Sequence, residues 1–592
     1  MSNEKYIKGG SFLIDEILPE NIFTPEDFSD EQKMIADTTR EFVDKEVLPF
    51  IHEIDEQKEG LSISLMRKAG EIGLLSVDIP TEYDGLGLDK TSTMLVAENI
   101  GRTGAWAVTQ SAHTGIGTLP IVYFGTEEQK KKYLPKFGTG EWITSYSLSE
   151  PGAGSDALAA QTTAVLSDDK KFYILNGTKM WLSNAGFADV YITFAKIDGE
   201  HFSAFIIEKN SPGVSTGAEE KKLGIKGSST RTLILENAMV PVENLLGEIG
   251  RAHLIAFNIL NIGRFKLGAA VIGASKKIIS DSVQYSNQRK QFNRKISEFG
   301  LIKNKLSQML VKTFVGESMI YRTAGMIDSI LSGVDESSPN SSKMKLKGIE
   351  EYAIECSILK VYCSEILDFV ADEGVQILGG YGYSEEYPMA RAYRDARINR
   401  IFEGTNEINK MLTTGMTLKR SVKGEIGVLS AAMKLASEIL SGPVSFKGDD
   451  ENIFSVEQQL IKNSKNIAVL VLGASAQKYM DKINDEEEIL DSISDIMMEV
   501  YAMESVLLRV QKGLKNGKFS EVHTKMAKVF CNDTMPKIET HSKKIISTLY
   551  DGDMQKTYLT ALKRLTKFTP INSIALHREI ANFLIDKNDY PF

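Results

Sequence analysis

The stretch "DVYITFAKIDGEHFSAFIIE", residues 189–208, sets two runs of β-branched and aromatic residues on either side of Asp198-Gly199. An Asp-Gly or Asn-Gly pair between two such runs is the strongest short signal of a β-hairpin. The stretch "KFYILNGTKMWLSN", residues 171–184, repeats this arrangement around Asn176-Gly177. Together the two stretches predict two hairpins and an antiparallel β domain over residues 142–249.

Helical patterns precede this β domain. Residues 1–30 form an irregular extension, and from Asp30 onward the apolar residues recur at helical spacing. Thr126 followed by "EEQKKKYL" is typical of an N-cap and a short helix. We therefore predict a mostly helical domain over residues 31–141. Its first helix is expected to bury one broad apolar face made of Met34, Ile35, Phe42, Val43 and Val47.

Helical patterns also follow the β domain. "NIGRFKLGAAVIGASKKIISDSVQYSNQRKQF", which begins at Asn261, predicts a long helix that ends near Gln288. Two more long helices are predicted around 297–332 and 346–378, separated by the polar loop "GVDESSPNSSK". These elements favour an antiparallel helix bundle over residues 250–420.

The last part of the chain, residues 421–592, is predicted to be a further helical domain, with a boundary at "SGPVSFKGDDEN". No plausible catalytic cluster is found in 430–592, which indicates a packing or docking role. "EIGVLSAAMKLASEIL", residues 425–440, could rest on a membrane surface, although a core helix is the favoured interpretation. One amphipathic helix face is expected from Ile493, Met497, Val500, Met503, Leu507, Val510 and Leu514.

The composition is that of a globular protein with several domains. The chain has 592 residues, of which 42% are hydrophobic and 25% charged. A net charge of −10 argues against broad nucleic-acid binding. Three cysteines fit a reducing compartment, and no pattern of histidines and cysteines predicts a metal site. The N-terminus lacks a secretory signal and no uninterrupted apolar run is long enough to span a membrane, so we expect a cytoplasmic protein.

The stretch "RINRIFEGTNEI", residues 397–408, places one carboxylate directly after apolar residues. Glu403 follows Ile401 and Phe402 and precedes Gly404. In one interpretation Glu403 is a solvated acid near a helix start. In the other, burial tunes Glu403 as a base, and Gly404 lets a substrate approach the backbone. This stretch alone leaves both interpretations open.

Two further motifs lie in the β domain. "SLSEPGAGSDALA", residues 147–159, has the spacing of a dinucleotide-binding fingerprint, but that fingerprint requires a parallel strand–turn–helix unit and hairpins follow instead. The turn is either a polar cofactor site, with donors from Ser149, Ser155 and Asp156, or a hydrophilic loop. In "MWLSN", Trp181 and Ser183 offer a stacking face beside a hydroxyl, or Trp181 is a half-buried core residue.

Two motifs in the helix bundle also have two interpretations. In "QRKQF", Arg289 could pair with a phosphate, or it marks a helix end. In "GVQILGGYGY", the glycines Gly379, Gly380 and Gly382 could permit close backbone approach by a ligand. They could equally form a helix C-cap.

In this order, the motifs resemble the acyl-CoA dehydrogenase family over residues 31–417. The resemblance is carried by "YSLSEPGAGSD", "KMWLSN", "RKQF", "QILGGYGY" and "RDARINRIFEGTNEI". "ILNIGRF", "LGIKGSSTR" and the helical tail resemble the very-long-chain branch of that family. The implied fold is mainly α with a central antiparallel β domain, followed by a four-helix bundle and an extra C-terminal helical domain.

The resemblance implies a role for each motif. Glu403 would be the catalytic base, and FAD the cofactor. CoA and substrate contacts are implied for Ser155, Arg264, Phe402 and Gly404. FAD contacts in the same subunit are implied for Tyr146, Leu148, Ser149, Ser155, Trp181, Ser183, Thr405 and Glu407. Contacts to a neighbouring subunit's FAD are implied for Arg289, Phe292, Gln376 and Gly380.

Two positions depart from other members of the family. Some branches carry the base on the long helix, where this chain has Gly263, so Glu403 is the available base. Ser149 stands where many members have threonine, and it keeps the hydroxyl. In "HTGIGTLPI", residues 113–121, Gly115 and Gly117 lie where the family's acyl cavity ends and would leave that end open. Alternatively, these two glycines only shape a helix junction.

The function implied by the resemblance is the FAD-dependent dehydrogenation of long-chain fatty acyl-CoA to trans-2-enoyl-CoA in fatty acid β-oxidation. An acyl-CoA oxidase, or a flavin-binding assembly or scaffold protein with little turnover, is the alternative. Electron-transferring flavoprotein is the implied electron acceptor and a homodimer the implied assembly. Peripheral contact with a membrane surface remains an open expectation.

Overall fold

The protein is mainly helical around one central sheet. The structure, a computed structural model, describes residues 6–335, 337–338, 340–441 and 452–592. The predicted boundary at 441–452 lies almost entirely outside the described residues. The predicted fold class, a helical protein with a central β domain and an additional C-terminal helical domain, is confirmed.

The N-terminal helices begin after an extension that contains three short 3-10 turns. The N-cap predicted at Thr126 is confirmed, because Thr126 and Gln129 exchange side-chain and backbone hydrogen bonds of 3.0 and 3.2 Å. Met34 was wrongly assigned to the buried face: it is 62% exposed, whereas Phe42, Val43 and Val47 are buried. The helices are α1 Asp30–Phe42, α2 Ile51–Asp55, α3 Leu61–Glu71, α4 Lys90–Gly101, α5 Ala105–Ser111, α6 Leu119–Phe124 and α7 Glu127–Thr139.

The central sheet has eight strands. They are β1 Thr144–Ser147, β2 Thr163–Leu166, β3 Phe172–Ser183, β4 Val190–Ile197, β5 His201–Glu208, β6 Val214–Thr216, β7 Thr230–Pro241 and β8 Leu245–Leu246. Their order is β6-β7-β3-β2-β4-β5-β8, with β1 beside β4. The hairpin predicted around Asp198-Gly199 is confirmed as β4–β5.

The sheet is mixed, so the prediction of a wholly antiparallel sheet was wrong. β1 pairs with the start of β4 and β2 with its end, and both run parallel to it. The polar loop after β1 separates β1 from β2. These two strands therefore lie end to end along one edge of β4, while β5 occupies the other edge.

The hairpin predicted around Asn176-Gly177 was also wrong, because both residues lie inside β3. The register between β3 and β7 shifts between Leu175 and Gly177. The Asn237 amide N–H donates to the Asn176 side-chain oxygen at 2.8 Å, which ties the irregularity to the neighbouring strand. A Cβ on Gly177 would lie 2.8 Å from Cβ of Thr162. Here the Asn-Gly pair forms a bulge in a continuous strand.

The helix bundle is built around α8, Ala252–Gln288, whose predicted end at Gln288 is confirmed. Among the described residues, α8 alone is long and apolar enough to cross a membrane, and 72% of its most apolar window is buried. It is followed by the strands β9 Lys290–Gln291 and β10 Arg294–Lys295. The other helices are α9 Gly300–Leu331, α10 Ser341–Glu351, α11 Ala353–Leu378, α12 Gly380–Tyr383, α13 Pro388–Ala396 and α14 Asn406–Val422.

The C-terminal helices pack on this bundle. The amphipathic face predicted for 493–514 is confirmed in helix α17, Glu487–Lys515, where its residues up to Val510 are buried. From α17, Arg509 binds Glu317 of α9 at 2.7 Å and Glu26 of the N-terminal extension at 2.7 Å. These ion pairs fix the C-terminal domain and the extension to one another. The helices are α15 Val428–Ser441, α16 Ser455–Tyr479, α17 Glu487–Lys515, α18 Glu521–Leu549, α19 Gly552–Leu565 and α20 Ser573–Lys587.

Candidate active site

Glu403 lies in a tight loop that leads into α14. Its φ is 59° and that of Gly404 is 80°, so two successive residues adopt left-handed backbone conformations. For a non-glycine residue this conformation costs about 1–3 kcal/mol and persists only where the surroundings fix it. The Asn409 side chain donates to the carbonyls of Gly404 and Thr405 at 2.8 and 3.0 Å. Arg264 of α8 donates to the Glu403 carbonyl at 3.2 Å.

The Glu403 carboxylate lies on the wall of a cavity, and one of its two oxygens is shut off from water. Its Oε2 atom is buried and has no hydrogen-bond partner among the described residues. Burial raises the pKa of Glu403 to about 7, although the nearby Arg264 and Lys360 cations lower it. The interpretation of Glu403 as a solvated surface acid is therefore wrong, and the geometry fits a base held away from water.

Gly263 of α8 provides the surface against which this carboxylate lies. A Cβ at position 263 would be 2.6 Å from Oε2 of Glu403 and 2.9 Å from its carboxyl carbon. Real Cβ atoms do not approach other atoms so closely. The Glu403 carboxylate can therefore occupy this position only because residue 263 has no side chain.

A slot-shaped cavity of about 430 Å³ begins at Glu403 and Ser183. Phe402 lies on its wall, and so do the facing segments α5 and the π turn Ala112–Gly117. From Gly263 to Asp281 the cavity follows one face of α8 over about 27 Å, at a rise of about 1.5 Å per residue. The α8 residues on the wall are Gly263, Lys266, Leu267, Ala270, Val271, Ala274, Lys277, Ile278 and Asp281.

Of the two glycines predicted to leave the slot open, only Gly115 lies on its wall. The prediction for Gly117 was wrong. A Cβ on Gly117 would lie 2.7 Å from Cβ of Thr144 and would collide with the Thr144 hydroxyl. Gly117 is therefore required for packing of the π turn against β1 and does not determine the length of the cavity.

Tyr146 and Trp181 form a second polar and aromatic surface near Glu403. The Tyr146 hydroxyl is buried without a hydrogen-bond partner among the described residues, and the Tyr146 ring packs edge-on against Phe194 at 5.3 Å. Trp181 is 58% exposed and has a φ of 65° at a register shift in β3. Its indole face is therefore free for stacking, and the half-buried core interpretation is wrong. Ser183 lies two residues further on, at the mouth of the slot.

The glycine turn beside these residues is anchored at its base. Lys179 of β3 binds Glu150 in a buried ion pair of 2.7 Å, and Glu150 also accepts the Thr162 hydroxyl at 2.6 Å. The Ser149 carbonyl accepts the Met180 N–H at 3.0 Å. Leu148 is buried and Ser149 half-buried, whereas Ser155 lies in the exposed part of the turn. The unpartnered tyrosine hydroxyl, the exposed indole and the polar turn fit a flat aromatic cofactor with a polar tail.

Arg289 and Gly380 line a separate cavity of about 520 Å³. The Arg289 guanidinium lies 5.7 Å from the ring centre of Tyr381. Gln376 is exposed on the last turn of α11, and Phe292 is 88% exposed. The structure therefore brings Arg289 and Gly380 to one cavity, and none of the four residues lies on the wall of the Glu403 slot. This is the arrangement expected if they contact a cofactor held by a neighbouring subunit.

The remaining predicted residues surround the Glu403 loop. Arg264 is buried and also donates to Asn261 at 3.0 Å. Thr405 is the N-cap of α14, where its hydroxyl accepts the Ile408 N–H at 3.3 Å. Glu407 is exposed in the first turn of α14.

Lys360 of α11 is a site residue that the motif analysis missed. It is buried, and its ammonium donates to the Asn406 side chain at 2.7 Å. Burial lowers the pKa of Lys360 to about 7, while the carboxylate of Glu403 raises it. A lysine inside the apolar run "SILKVYC" is the signal in the sequence that could have identified it.

Comparison with known proteins identifies the family. The chain matches the acyl-CoA dehydrogenase N-terminal domain over residues 29–141 and the middle domain over 145–238. It also matches two acyl-CoA dehydrogenase C-terminal domains, over residues 254–414 and 463–564. It is 48% identical over 585 residues to a probable acyl-CoA dehydrogenase of Bacillus subtilis, covering 98% of each chain. It is 31% identical to the human mitochondrial very long-chain specific acyl-CoA dehydrogenase, covering 94% of this chain and 86% of that protein.

Among solved structures, an acyl-CoA dehydrogenase from Bacillus anthracis complexed with FAD matches with a TM-score of 0.97. The sequence identity is 50%, over 99% of this chain and 100% of that one. The match to the family's domains, together with a buried carboxylate beside a surface suited to a flavin, leads to one conclusion. The chain belongs to the acyl-CoA dehydrogenase family, and it is an FAD-dependent flavoprotein oxidoreductase.

Proposed function

We propose that this protein converts long-chain fatty acyl-CoA to trans-2-enoyl-CoA in fatty acid β-oxidation. The observation that supports this most strongly is the position of Glu403 at one end of a mostly apolar slot about 27 Å long, with an Oε2 atom that has no hydrogen-bond partner among the described residues. When bound, FAD supplies a two-electron acceptor for the hydride that leaves the β-carbon. Glu403 takes the proton from the α-carbon, so the substrate loses two hydrogens and gains one double bond.

The surroundings of Glu403 suit this proton transfer. A thioester α-proton is weakly acidic, so the base must hold a proton more strongly than an exposed carboxylate does. Burial of Glu403 provides this, since it raises the pKa of the side chain to about 7. The Arg264 bond to the loop carbonyl keeps the carboxylate aimed into the slot. Backbone N–H groups beside the base would stabilise the charge that develops on the thioester oxygen.

The length of the slot supports a long-chain substrate. A chain of roughly sixteen carbons extends about 18 Å at about 1.2 Å per bond, which the slot accommodates. Each CH₂ group buried in such a slot adds about 0.8 kcal/mol of binding free energy. We therefore expect the efficiency of flavin reduction to rise with chain length up to roughly sixteen carbons.

The substitution Ala274→Phe tests this length directly. Ala274 lies on the slot wall about 16 Å beyond Gly263 along α8, so a phenyl ring there should block the path of long chains. We expect kcat/KM for palmitoyl-CoA to fall at least ~10-fold and that for octanoyl-CoA to stay within ~2-fold. Ala274→Ser is the matched control, because it adds one atom and leaves the slot open. Equal losses with both substrates would contradict a slot that binds the acyl chain.

The pH dependence of flavin reduction is a further prediction. Glu403 can accept a proton only when it is ionised, and its pKa in the folded protein is raised to about 7. The rate of flavin reduction at saturating substrate should therefore be low below that pH and rise as the pH increases through it. Rapid-mixing measurements from pH 5.5 to about 9 would show this rise. A rate that stays constant down to pH 5.5 would argue against a raised pKa at the base.

We extend the proposal to electron-transferring flavoprotein as the acceptor and to a homodimer with two FAD. The separation of the Arg289 cavity from the Glu403 slot supports the dimer, since one chain does not bring both to one cofactor. Light scattering of the flavin-loaded protein should give a dimer, and a fully loaded monomer would contradict it. For residues 425–440, the burial of Val428, Ala432 and Leu435 of α15 supports the favoured interpretation, a core helix, over a segment that rests on a membrane surface.

A further inference from the structure

Two buried cations lie beside the loop that carries Glu403. Arg264 of α8 is 5% exposed, and Lys360 of α11 is fully buried. Arg264 donates to the Glu403 carbonyl and to Asn261, at 3.2 and 3.0 Å. The Oε2 atom of Glu403 has no hydrogen-bond partner among the described residues. The two cations therefore act on this oxygen through their charge and not through a hydrogen bond.

The hydrogen bonds of Lys360 do not by themselves require a charge. Among the described residues its ammonium has one acceptor, the side-chain oxygen of Asn406 at 2.7 Å. Asn406 does not depend on this bond alone, because its amide nitrogen also donates to Ser364 and Glu365, at 3.2 Å each. A buried ammonium with one neutral acceptor is unfavourable unless a negative charge lies nearby. The reason for a lysine at this position therefore lies in the charges around it.

The negative charge that acts most strongly on Lys360 is that of Glu403. Burial lowers the pKa of Lys360 to about 7, and of the charges that oppose this effect Glu403 is the strongest. Burial raises the pKa of Glu403 to about 7, against the effects of Arg264 and then of Lys360. Charges that are buried in this way are screened little by salt. The other titratable or charged groups that face the pair are Arg264 of α8, Tyr146 of β1, Glu365 of α11 and Glu407 of α14.

We propose that Lys360 is a positioning residue for the base: its buried positive charge holds Glu403 in the ionised form that can take the α-proton. Lys360 is not on the wall of the slot, so it acts on the substrate only through Glu403. The proposal rests on the proposed function, because it concerns the same proton transfer. Without this charge, Glu403 would keep its proton up to a higher pH and would be an inactive base over more of the neutral range.

The test is the pH profile of flavin reduction in the flavin-loaded protein, mixed anaerobically with saturating palmitoyl-CoA. Lys360→Met removes both the charge and the bond to Asn406, whereas Lys360→Gln removes the charge and keeps an amide donor. We expect the midpoint of the profile to rise by at least about 0.5 pH unit in both variants. The rate should therefore fall at least ~3-fold near about pH 6 and approach the unmodified value near about pH 9. If Lys360→Met does not retain flavin, Lys360→Gln decides the question.

Lys312→Met is the matched control, because it removes a lysine from α9, a helix that packs against α11. The Lys312 ammonium lies 5.0 Å from the ring centre of Phe369. Burial lowers the pKa of Lys312, and the charges that act on it most strongly are those of Lys537 and Glu499. We expect this variant to keep the midpoint of the unmodified protein.

Three results would overturn the inference while leaving the proposed function intact. The first is an unchanged midpoint in the Lys360 variants, even if the rate falls equally at every pH, which would assign Lys360 a structural role. The second is a rise in Lys360→Met but not in Lys360→Gln, which would assign the effect to the bond with Asn406. The third is an equal rise in Lys312→Met. If palmitoyl-CoA does not reduce the flavin of the unmodified protein, the proposed function fails and this inference fails with it.

Discussion

Glu403→Gln should lower the rate of flavin reduction by acyl-CoA at least ~10³-fold, within the range of general-base effects. The amide keeps the size and shape of the side chain but cannot take the α-proton. The loop should be unchanged, because Asn409 and Arg264 bind its carbonyl groups and not the carboxylate. FAD should remain bound, which the flavin absorbance of the purified variant would show. Near-normal reduction by this variant would contradict the assignment of Glu403 as the base.

The stability of the same variant provides an independent check on burial. The pKa of Glu403 is raised from 4.5 to about 7 in the folded protein, so the folded state holds this proton more strongly. The stabilisation of the folded state that this proton contributes is complete below pH 4.5 and is lost as the pH rises through about 7. Glu403→Gln has no such loss. Its melting temperature should therefore match that of the unmodified protein in acid and exceed it above about pH 8.

Gly263→Ala should lower flavin reduction at least ~10²-fold, because a misplacement of about 1 Å at a reacting group has an effect of this size. The new Cβ would lie 2.6 Å from Oε2 of Glu403, and the flexible carboxylate would move before the backbone of α8 does. The fold should persist, so the loss should appear in the rate of reduction and not in flavin content.

Gly268→Ala, one turn and a half further along α8, is the matched control. There a Cβ would lie 3.4 Å from the Leu359 side chain, which is an ordinary contact. We expect this variant to reduce its flavin at close to the normal rate. If Gly263→Ala also kept the normal rate, the contact between position 263 and the base would have no catalytic importance.

The sequence predicted the central sheet correctly where the paired strands are adjacent in the chain. Asp198-Gly199 joins β4 to β5 as expected, because the strands it connects are adjacent in sequence. The same signal at Asn176-Gly177 marks a bulge, since pairing with the distant strand β7 keeps β3 continuous. A glycine is accepted in a turn and in a bulge alike, so the local pattern could not separate them.

The sequence likewise predicted only part of the site, and the residues it missed or misassigned depend on contacts that are distant in the chain. The motifs pointed to Glu403 and to Trp181 with Ser183, and the structure brings all three to one end of the slot or beside it. Gly117 was misassigned because its requirement for space comes from Thr144, 27 positions away in the chain. Lys360 carries no motif of its own; its apolar sequence neighbours indicate burial, but only the packing of α11 against the Glu403 loop places it near the base.

The central claim is tested most directly by anaerobic mixing of the flavin-loaded protein with acyl-CoA thioesters of increasing length. The account predicts loss of the oxidised flavin absorbance, fastest with chains of roughly sixteen carbons. Re-oxidation should be fast with electron-transferring flavoprotein and slow in air, whereas fast re-oxidation in air would indicate an oxidase. A flavin that no acyl-CoA reduces would contradict the account. A rate that peaks at about eight carbons or fewer would contradict its long-chain substrate.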